Sequence, residues 1–323
     1  MRDTLYQRLS VQDRRYALRV AQDKSRRRAF LLEKDIWVVA TLEILFGASF
    51  AGHLIFKGGT SLSKVWHAIR RFSEDVNITY DIRAFAPDLV AGAGDEALPP
   101  TRSQQKRWTR AIRARLLEWV RDQASPIVKE GLARAGFAAE VRAEGDRLHI
   151  RYEPLFKETD FVRPVVKVEF GARSTGEPHT TRPVVCDAAA YLPDLAFPET
   201  CPSTMLAERT FWEKATAVHV YCCQQRRRGS ACRGTGTISR VSTRPGLRRA
   251  RWPTGRLPFR WPATNRYSSP RTMPVACEST TRPRYQAACN SFLQVPRLRS
   301  LLTITRGWWP TACCSTRTSR SMR

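Results

Sequence analysis

The 323-residue sequence predicts a protein of the α/β (α+β) class, followed by an irregular tail rich in arginine. Two hydrophobic patterns predict the folded part, and a change of composition at residue 222 predicts the tail. Apolar and polar residues alternate, as in half-buried strands, at residues 76–80, 139–142, 148–152 and 165–173. Apolar residues recur at helical spacing within residues 32–42 and 103–135. The length suits two ordinary domains or one large domain.

Two helices are expected before the first strand. Residues 1–29 are strongly charged, with a helical stretch around residues 13–18. A second helix should bury one face against the sheet, since apolar side chains recur every three or four residues at Leu32, Ile36, Val39 and Leu42. Glu33 and Asp35 lie near its predicted start, where acidic side chains suit the positive end of a helix.

The segment Phe56-Lys57-Gly58-Gly59-Thr60-Ser61-Leu62-Ser63-Lys64 follows a short apolar run. Gly58 and Gly59 predict a tight turn whose backbone can approach a phosphate closely. A helix is predicted from Thr60 onward, so a phosphate would lie at the N-terminus of that helix.

A strand is predicted next, at Val76 to Tyr80. Alternation should place Asp75 and Asn77 on one face and Val76 and Ile78 on the other. Two acids at positions i and i+2 of a strand can hold Mg²⁺ against a triphosphate, because hard cations prefer clustered oxygen ligands. This chain has one acid of the two, because Asn77 offers an amide oxygen without charge.

The middle of the chain should contain a loop, one or two helices and three strands. Residues 84–101 are rich in Ala, Gly and Pro and predict a loop. One or two amphipathic helices follow over residues 103–135, with Ile112, Leu116, Trp119 and Val120 on the apolar side. Their basic face is solvated in the simplest interpretation, and the alternative is that it steers RNA or a nucleotide toward a site.

Two later segments carry charged residues whose placement follows from the predicted strand and helix. In residues 165–173 alternation directs Lys167 and Glu169 to the same side, although a surface strand with an ion pair would show the same pattern. Residues 208–215 are expected to form a helix that carries Lys214, and a plain amphipathic helix remains the alternative.

The glycine segment and Arg71-Phe72-Ser73-Glu74-Asp75-Val76-Asn77 together resemble the AbiEii/AbiGii toxin family of abortive-infection and type IV toxin–antitoxin systems. That family belongs to the nucleotidyltransferase superfamily related to DNA polymerase β. Its members carry Lys-Gly-Gly-Thr-x-Leu and then Arg-Phe-Ser-Glu-Asp-x-Asp, and Asn77 stands at the last position here. Glu33-Lys34-Asp35 also resembles a family motif. The resemblance covers about residues 30–221 and implies a nucleotidyltransferase-like mixed sheet flanked by helices, within a domain of residues 1–221.

The resemblance implies a role for each matching residue. Asp75, Glu169 and Lys167 would be catalytic, and Asp75, Asn77 and Glu169 would hold Mg²⁺. A nucleoside triphosphate would be bound by Gly58, Gly59, Thr60, Ser61, Lys64, Ser73 and Lys214. The expected function is transfer of a nucleotide to an RNA or protein acceptor by a toxin that a separate antitoxin controls. A non-catalytic remnant that binds nucleotide or RNA is the alternative, because Asn77 lacks the expected charge.

The net charge of +26 is distributed unevenly. From Cys222 onward there are 21 Arg, no Lys and one acid, so residues 222–323 carry +20 and residues 1–221 carry +6.

No run approaches the roughly 18 apolar residues of a membrane span, and the N-terminus does not resemble a signal peptide. We therefore expect a cytoplasmic protein without a membrane partner. The seven cysteines of the tail lack the CxxC spacing of a zinc site.

Residues 222–323 do not have the composition of a folded domain, in which Glu and Lys are common. An arginine-rich nucleic-acid arm is one interpretation, but four Trp and seven Cys are unusual in such an arm. Our hypothesis is out-of-frame translation. With suitably chosen codons, the third-base frame of residues 230–240 encodes RLSRHWHDLA, similar to the Arg-His-x-x-Asp-Leu helix that the family resemblance implies. We predict a poorly ordered tail, with the frame broken between Cys222 and Ser230.

Overall fold

The computed structural model describes residues 4–70, 72–73, 75–156 and 163–223. The prediction about residues 222–323 therefore lies outside the described residues, apart from the first two. The helices are α1 (Val11–Ser25), α2 (Ala29–Phe46), α3 (Gly58–Lys64), α4 (Ile82–Phe85), α5 (Pro87–Val90), α6 (Arg102–Trp119), α7 (Ser125–Arg134) and α8 (Ala207–Cys223). The strands are β1 (Thr4–Leu5), β2 (Leu54–Lys57), β3 (Asp75–Asp81), β4 (Ala139–Glu144), β5 (Arg147–Tyr152), β6 (Val165–Ser174), β7 (His179–Thr181), β8 (Val184–Val185), β9 (Leu195–Ala196), β10 (Glu199–Thr200) and β11 (Ser203–Met205).

The main sheet has seven strands in the order β4-β5-β6-β3-β2-β11-β7. It is mixed, because β3 pairs with β6 and β2 with β11 in parallel, whereas β2 and β3 are antiparallel. Two small two-stranded sheets, β1 with β9 and β8 with β10, lie outside it. The predicted mixed α/β architecture is confirmed.

Alternation in the two central strands separates core from solvent as predicted. Val76 and Ile78 of β3 and Val168 and Phe170 of β6 are buried. Trp119, at the end of α6, packs edge-on against Phe170 with the ring centroids 5.2 Å apart. The four residues predicted for the apolar side of this helical region are all buried, so the sheet has one apolar face covered by helices.

Helix α2 corrects the prediction of a single buried face. It is buried on almost every side, including Val38 and Ala40, which lie off the predicted apolar stripe. It also begins at Ala29, so Glu33 and Asp35 lie beyond its first turn and are themselves buried. The interpretation that these acids simply suit a helix N-terminus is wrong.

The predicted loop of residues 84–101 is wrong at its start, where α4 and α5 form. The Asp81 carboxylate accepts a hydrogen bond from the N–H of Arg83 at 2.9 Å and caps α4. Pro87 stands at the first position of α5, where its fixed φ suits a helix.

In the described part of the chain, no helix is long and apolar enough to cross a membrane.

Candidate active site

Polar side chains cover the second face of the sheet in two parallel rows that cross its central strands. The register places Glu169 of β6 between Arg147 of β5 and Asn77 of β3, and Asn77 is in turn paired with Lys57 of β2. The second row, two residues along, consists of Arg142, His149, Lys167 and Asp75. Directly paired residues point to the same face of a sheet. The structure thus brings together the four predicted residues Asp75, Asn77, Lys167 and Glu169.

Gly58 opens α3 directly against this face. Its φ of +85° lies in the left-handed region, which residues with a Cβ rarely adopt. A Cβ at this position would lie 3.0 Å from Nδ2 of Asn77 and 3.1 Å from its Cβ. The turn therefore needs glycine both for its backbone conformation and for the close approach to Asn77.

Two hydroxyl side chains, those of Thr60 and Ser61, fix the turn through bonds to backbone carbonyls. The Thr60 hydroxyl donates to the carbonyl of Asp75 at 2.6 Å and lies 3.4 Å from that of Ser73. The Ser61 hydroxyl donates to the carbonyl of Gly58 at 2.9 Å. Thr60 and Ser61 are both buried. The Thr60 hydroxyl therefore holds α3 on β3, whereas the Ser61 hydroxyl bonds within the first turn of α3.

Helix α8 forms a rim beside Lys57. The Lys57 ammonium lies 3.3 Å from the Glu213 carboxylate, which also lies 3.5 Å from Nε of Arg209. Lys214 follows Glu213 on the same helix, in the segment that the sequence predicted to be helical. The helix is thereby positioned at the edge where β2 passes into α3.

Glu169 is paired with a residue that sequence reasoning missed. Nη2 of Arg147 lies 3.2 Å from its carboxylate, and both side chains are about half exposed. The hydrogen bond to Glu169 raises the pKa of the Arg147 guanidinium. The negative charges of Glu169, Asp146 and Asp75 raise it further, although burial lowers it. The alternation of Arg147, His149 and Arg151 along β5 was the available signal.

Lys64 lies at the other end of α3, in a buried ionic cluster. Its ammonium is 2.7 Å from Asp35 of α2 and 2.8 Å from Asp187, and Arg27 contacts the second oxygen of Asp187. Burial lowers the pKa of Lys64, but the two carboxylates raise it above its ordinary value. Burial also raises the pKa of Asp35. The Lys64 ammonium and the N–H of Asp187, 2.7 Å from the Asp35 carboxylate, oppose this effect because they favour its charged form.

A family model described as the nucleotidyl transferase AbiEii toxin of type IV toxin–antitoxin systems matches residues 43–233, which is more than half of the chain. The chain belongs to this family. Among solved structures it is similar to MenT4, a nucleotidyltransferase toxin from Mycobacterium tuberculosis H37Rv. The identity is 19% and the TM-score 0.34, with 65% of this chain and 59% of MenT4 covered. No match was found among curated proteins.

The AbiEii motif residues therefore divide between two places in the fold. Gly58, Asn77 and Asp75 meet at the open sheet face, whereas Lys64 belongs to the buried cluster. Arg71 and Glu74 of the second motif lie outside the described residues. Within the described ranges, no group of three or more His, Cys, Asp or Glu side chains is arranged to hold a metal.

Proposed function

We propose that this AbiEii family member transfers a nucleotidyl group from a nucleoside triphosphate to an acceptor hydroxyl. The observation that carries the proposal is the open sheet face where Asp75, Asn77 and Glu169 lie beside the Gly58 turn. The oxygen of the acceptor hydroxyl would attack the α-phosphorus while its proton passes to solvent. The bond from the α-phosphorus to the oxygen that bridges it to the β-phosphate would break, with release of pyrophosphate. The chain would bind and orient the triphosphate and stabilise the charge that develops on it.

The oxygen ligands on this face suit Mg²⁺ better than a metal ion that takes all its ligands from the protein. Asp75 and Glu169 supply two carboxylates and Asn77 an amide oxygen, and Mg²⁺ in proteins is commonly held by one or two carboxylates together with substrate phosphates. Asp75 and Glu169 lie on neighbouring strands two residues apart in register, so their Cα atoms are roughly 8 Å apart. When bound there, the ion would neutralise charge on the reacting phosphate.

The remaining predicted residues take distinct parts in the proposal. Gly58 and Gly59 let the backbone approach the triphosphate, and Thr60 and Ser61 hold that turn rigidly through the backbone contacts described above. Ser73 contributes its carbonyl to the same contact. Lys167, paired in register with Asp75, would neutralise the departing pyrophosphate, and Lys214 would approach it from α8. Lys64 would support the turn from the far end of α3.

We further propose that the acceptor is RNA and that the toxin acts in the cytoplasm, controlled by a cognate antitoxin, in an abortive-infection or similar system. An open cleft of about 500 Å³ between α1 and α2 supports the RNA acceptor, because it is lined by four arginines, Arg19, Arg26, Arg27 and Arg28. Arginine binds phosphate oxygens with a fixed pair of donors. Arg27 also contacts Asp187, which in turn contacts Lys64, so the cleft adjoins the far end of α3.

The proposal is tested by incubating the full chain with each α-³²P-labelled nucleoside triphosphate, Mg²⁺ and total RNA or total protein. Wild-type protein should label RNA, and Asp75→Asn should not. The matched control is Asp122→Asn, which removes another exposed carboxylate, paired with Arg121 between α6 and α7. Equal labelling by wild type and Asp75→Asn would overturn the proposal, and labelled protein in place of RNA would overturn the acceptor assignment.

A second candidate function is nucleotide binding without transfer. It is favoured by Asn77, which leaves the metal position with one charge fewer than the family motif supplies. In that case calorimetry should detect binding of a nucleoside triphosphate that Gly58→Ala weakens, while no labelled product forms with any acceptor.

A further inference from the structure

Arg147 is in contact with Glu169, one of the two carboxylates of the proposed metal site. It occupies the β5 position directly paired with Glu169, and its guanidinium donates to Oε1 of that carboxylate at 3.2 Å. Asp75 is close enough for its charge to act on the same guanidinium. The Arg147 guanidinium therefore contacts one carboxylate of the proposed metal site and feels the charge of the other.

The charges of four side chains around the proposed metal site cancel one another. Asp75 and Glu169 contribute two negative charges, and their register partners Lys167 and Arg147 contribute two positive charges. Asn77, between Glu169 and Lys57 in the first row, contributes none. The electrostatic free energy gained by a divalent cation is smaller near a neutral group of side chains than near two uncompensated carboxylates.

We propose that Arg147 is a positioning residue that holds Glu169 in the metal-free protein and competes with the divalent cation for it. This inference rests on the proposed function, because it assumes that Glu169 is a metal ligand. Binding of the cation requires the guanidinium to leave Glu169. Asp146, whose carboxylate is 3.9 Å from Nε of Arg147, is a second acceptor beside it.

The size of the competition follows from the exposure of the pair. The side chains of Arg147 and Glu169 are 51% and 43% exposed. Exposed pairs of this kind are worth about 0.2–1 kcal/mol. Removing Arg147 should therefore tighten cation binding by about 1.5- to fivefold, since about 1.4 kcal/mol corresponds to a factor of ten.

The test measures Mn²⁺ binding to the full chain by electron paramagnetic resonance of the free ion, without nucleotide or activity. Arg147→Gln should bind Mn²⁺ about 1.5- to fivefold more tightly than wild type, and Arg147→Lys should lie between them. Arg142→Gln is the matched control: Arg142 is a similarly exposed arginine paired with Glu140, one strand farther from Glu169. It should leave the dissociation constant unchanged at 0.15 M salt, where charges beyond about 8 Å are screened.

A second readout follows the guanidinium itself. Adding Mg²⁺ to protein labelled with ¹⁵N-arginine should shift the Nε–H resonance of Arg147, assigned by its loss in Arg147→Gln, and leave that of Arg142 in place. Unchanged or weaker Mn²⁺ binding by Arg147→Gln, or an equal gain in Arg142→Gln, would overturn the inference. If Asp75→Asn binds Mn²⁺ as well as wild type does, the proposed metal site itself fails, which separates the two failures.

Discussion

The two ends of α3 differ in environment although one continuous motif encodes them. At Gly58 the chain passes close over Asn77 on an open polar face. Six residues later, Lys64 is enclosed by Asp35 and Asp187 with its side chain 9% exposed. The helix is about 10 Å long. A short motif can therefore place an open turn, at the proposed nucleotide site, and a buried ion cluster at opposite ends of one helix.

The largest expected effect concerns the buried end. Lys64→Met would leave the buried carboxylate of Asp35 without its ammonium, and loss of one partner of a buried pair costs about 3–5 kcal/mol. Urea unfolding of the full chain measures this loss. Lys57→Met is the control at the open end, where the pair with Glu213 is a quarter exposed and should contribute less than about 1 kcal/mol. Equal losses from the two variants would remove the distinction between the ends.

The second prediction concerns Glu33, a buried carboxylate on α2 near Asp35. Burial raises its pKa to about 7, although the N–H of Leu155 partly opposes this. The folded protein holds this proton more tightly than the unfolded chain does. The contribution of the protonated carboxyl to the free energy of unfolding is therefore fully present below about pH 4.5. It falls by about 1–3 kcal/mol as the pH rises through 7. Glu33→Gln should lose this part of the pH dependence in unfolding measured from pH 4 to 8. An unchanged pH profile in Glu33→Gln would contradict the assignment.

The third prediction concerns the open end. Gly58→Ala should cost about 1–2 kcal/mol for the left-handed backbone and an additional amount for the approach to Asn77. Gly92→Ala isolates the backbone cost, because Gly92 has a φ of +79° and no atom within 4 Å of its Cβ position. The difference in unfolding free energy between the variants measures the contact. A difference of zero would mean that Asn77 moves away without cost.

The sequence was informative wherever local pattern and tertiary position agree. Alternation placed Asp75 with Asn77 and Lys167 with Glu169, because the two-residue period of a strand is independent of its neighbours. It could not reveal that the two strands are adjacent in parallel register; the family resemblance implied only that Lys167 and Glu169 lie near the metal site. Nor could it reveal that Arg147 pairs with Glu169, because cross-strand pairing depends on contacts between distant segments.

Lys64 shows a second limit of sequence reasoning. A lysine that follows a glycine-rich turn has the spacing expected of a phosphate ligand. Its burial depends on Asp35 and Asp187, which lie 29 and 123 residues away in the chain. The same limit explains α2, whose helical period was clear but whose burial on all sides depends on elements that pack around it.

The out-of-frame origin of residues 222–323 stays a prediction. The family model ends its match at residue 233, so residues 234–323 lie outside the matched segment. Resequencing the gene across codons 215–240 checks the hypothesis. One additional base there would restore an acidic reading frame, and an unchanged sequence would make the arginine-rich tail a genuine part of the protein.

The central claim is that Asp75, Asn77 and Glu169 beside the Gly58 turn form a nucleotide-transfer site. Its most direct test is the Mg²⁺-dependent transfer rate of Asn77→Asp compared with wild type and with Asp75→Asn/Asn77→Asp. Restoring the second carboxylate should raise the rate tenfold or more, because metal-held charge is worth several kcal/mol and about 1.4 kcal/mol gives a factor of ten. The double variant should lose this gain. A rate in Asn77→Asp no higher than wild type, or a double variant as active as Asn77→Asp, would contradict the account.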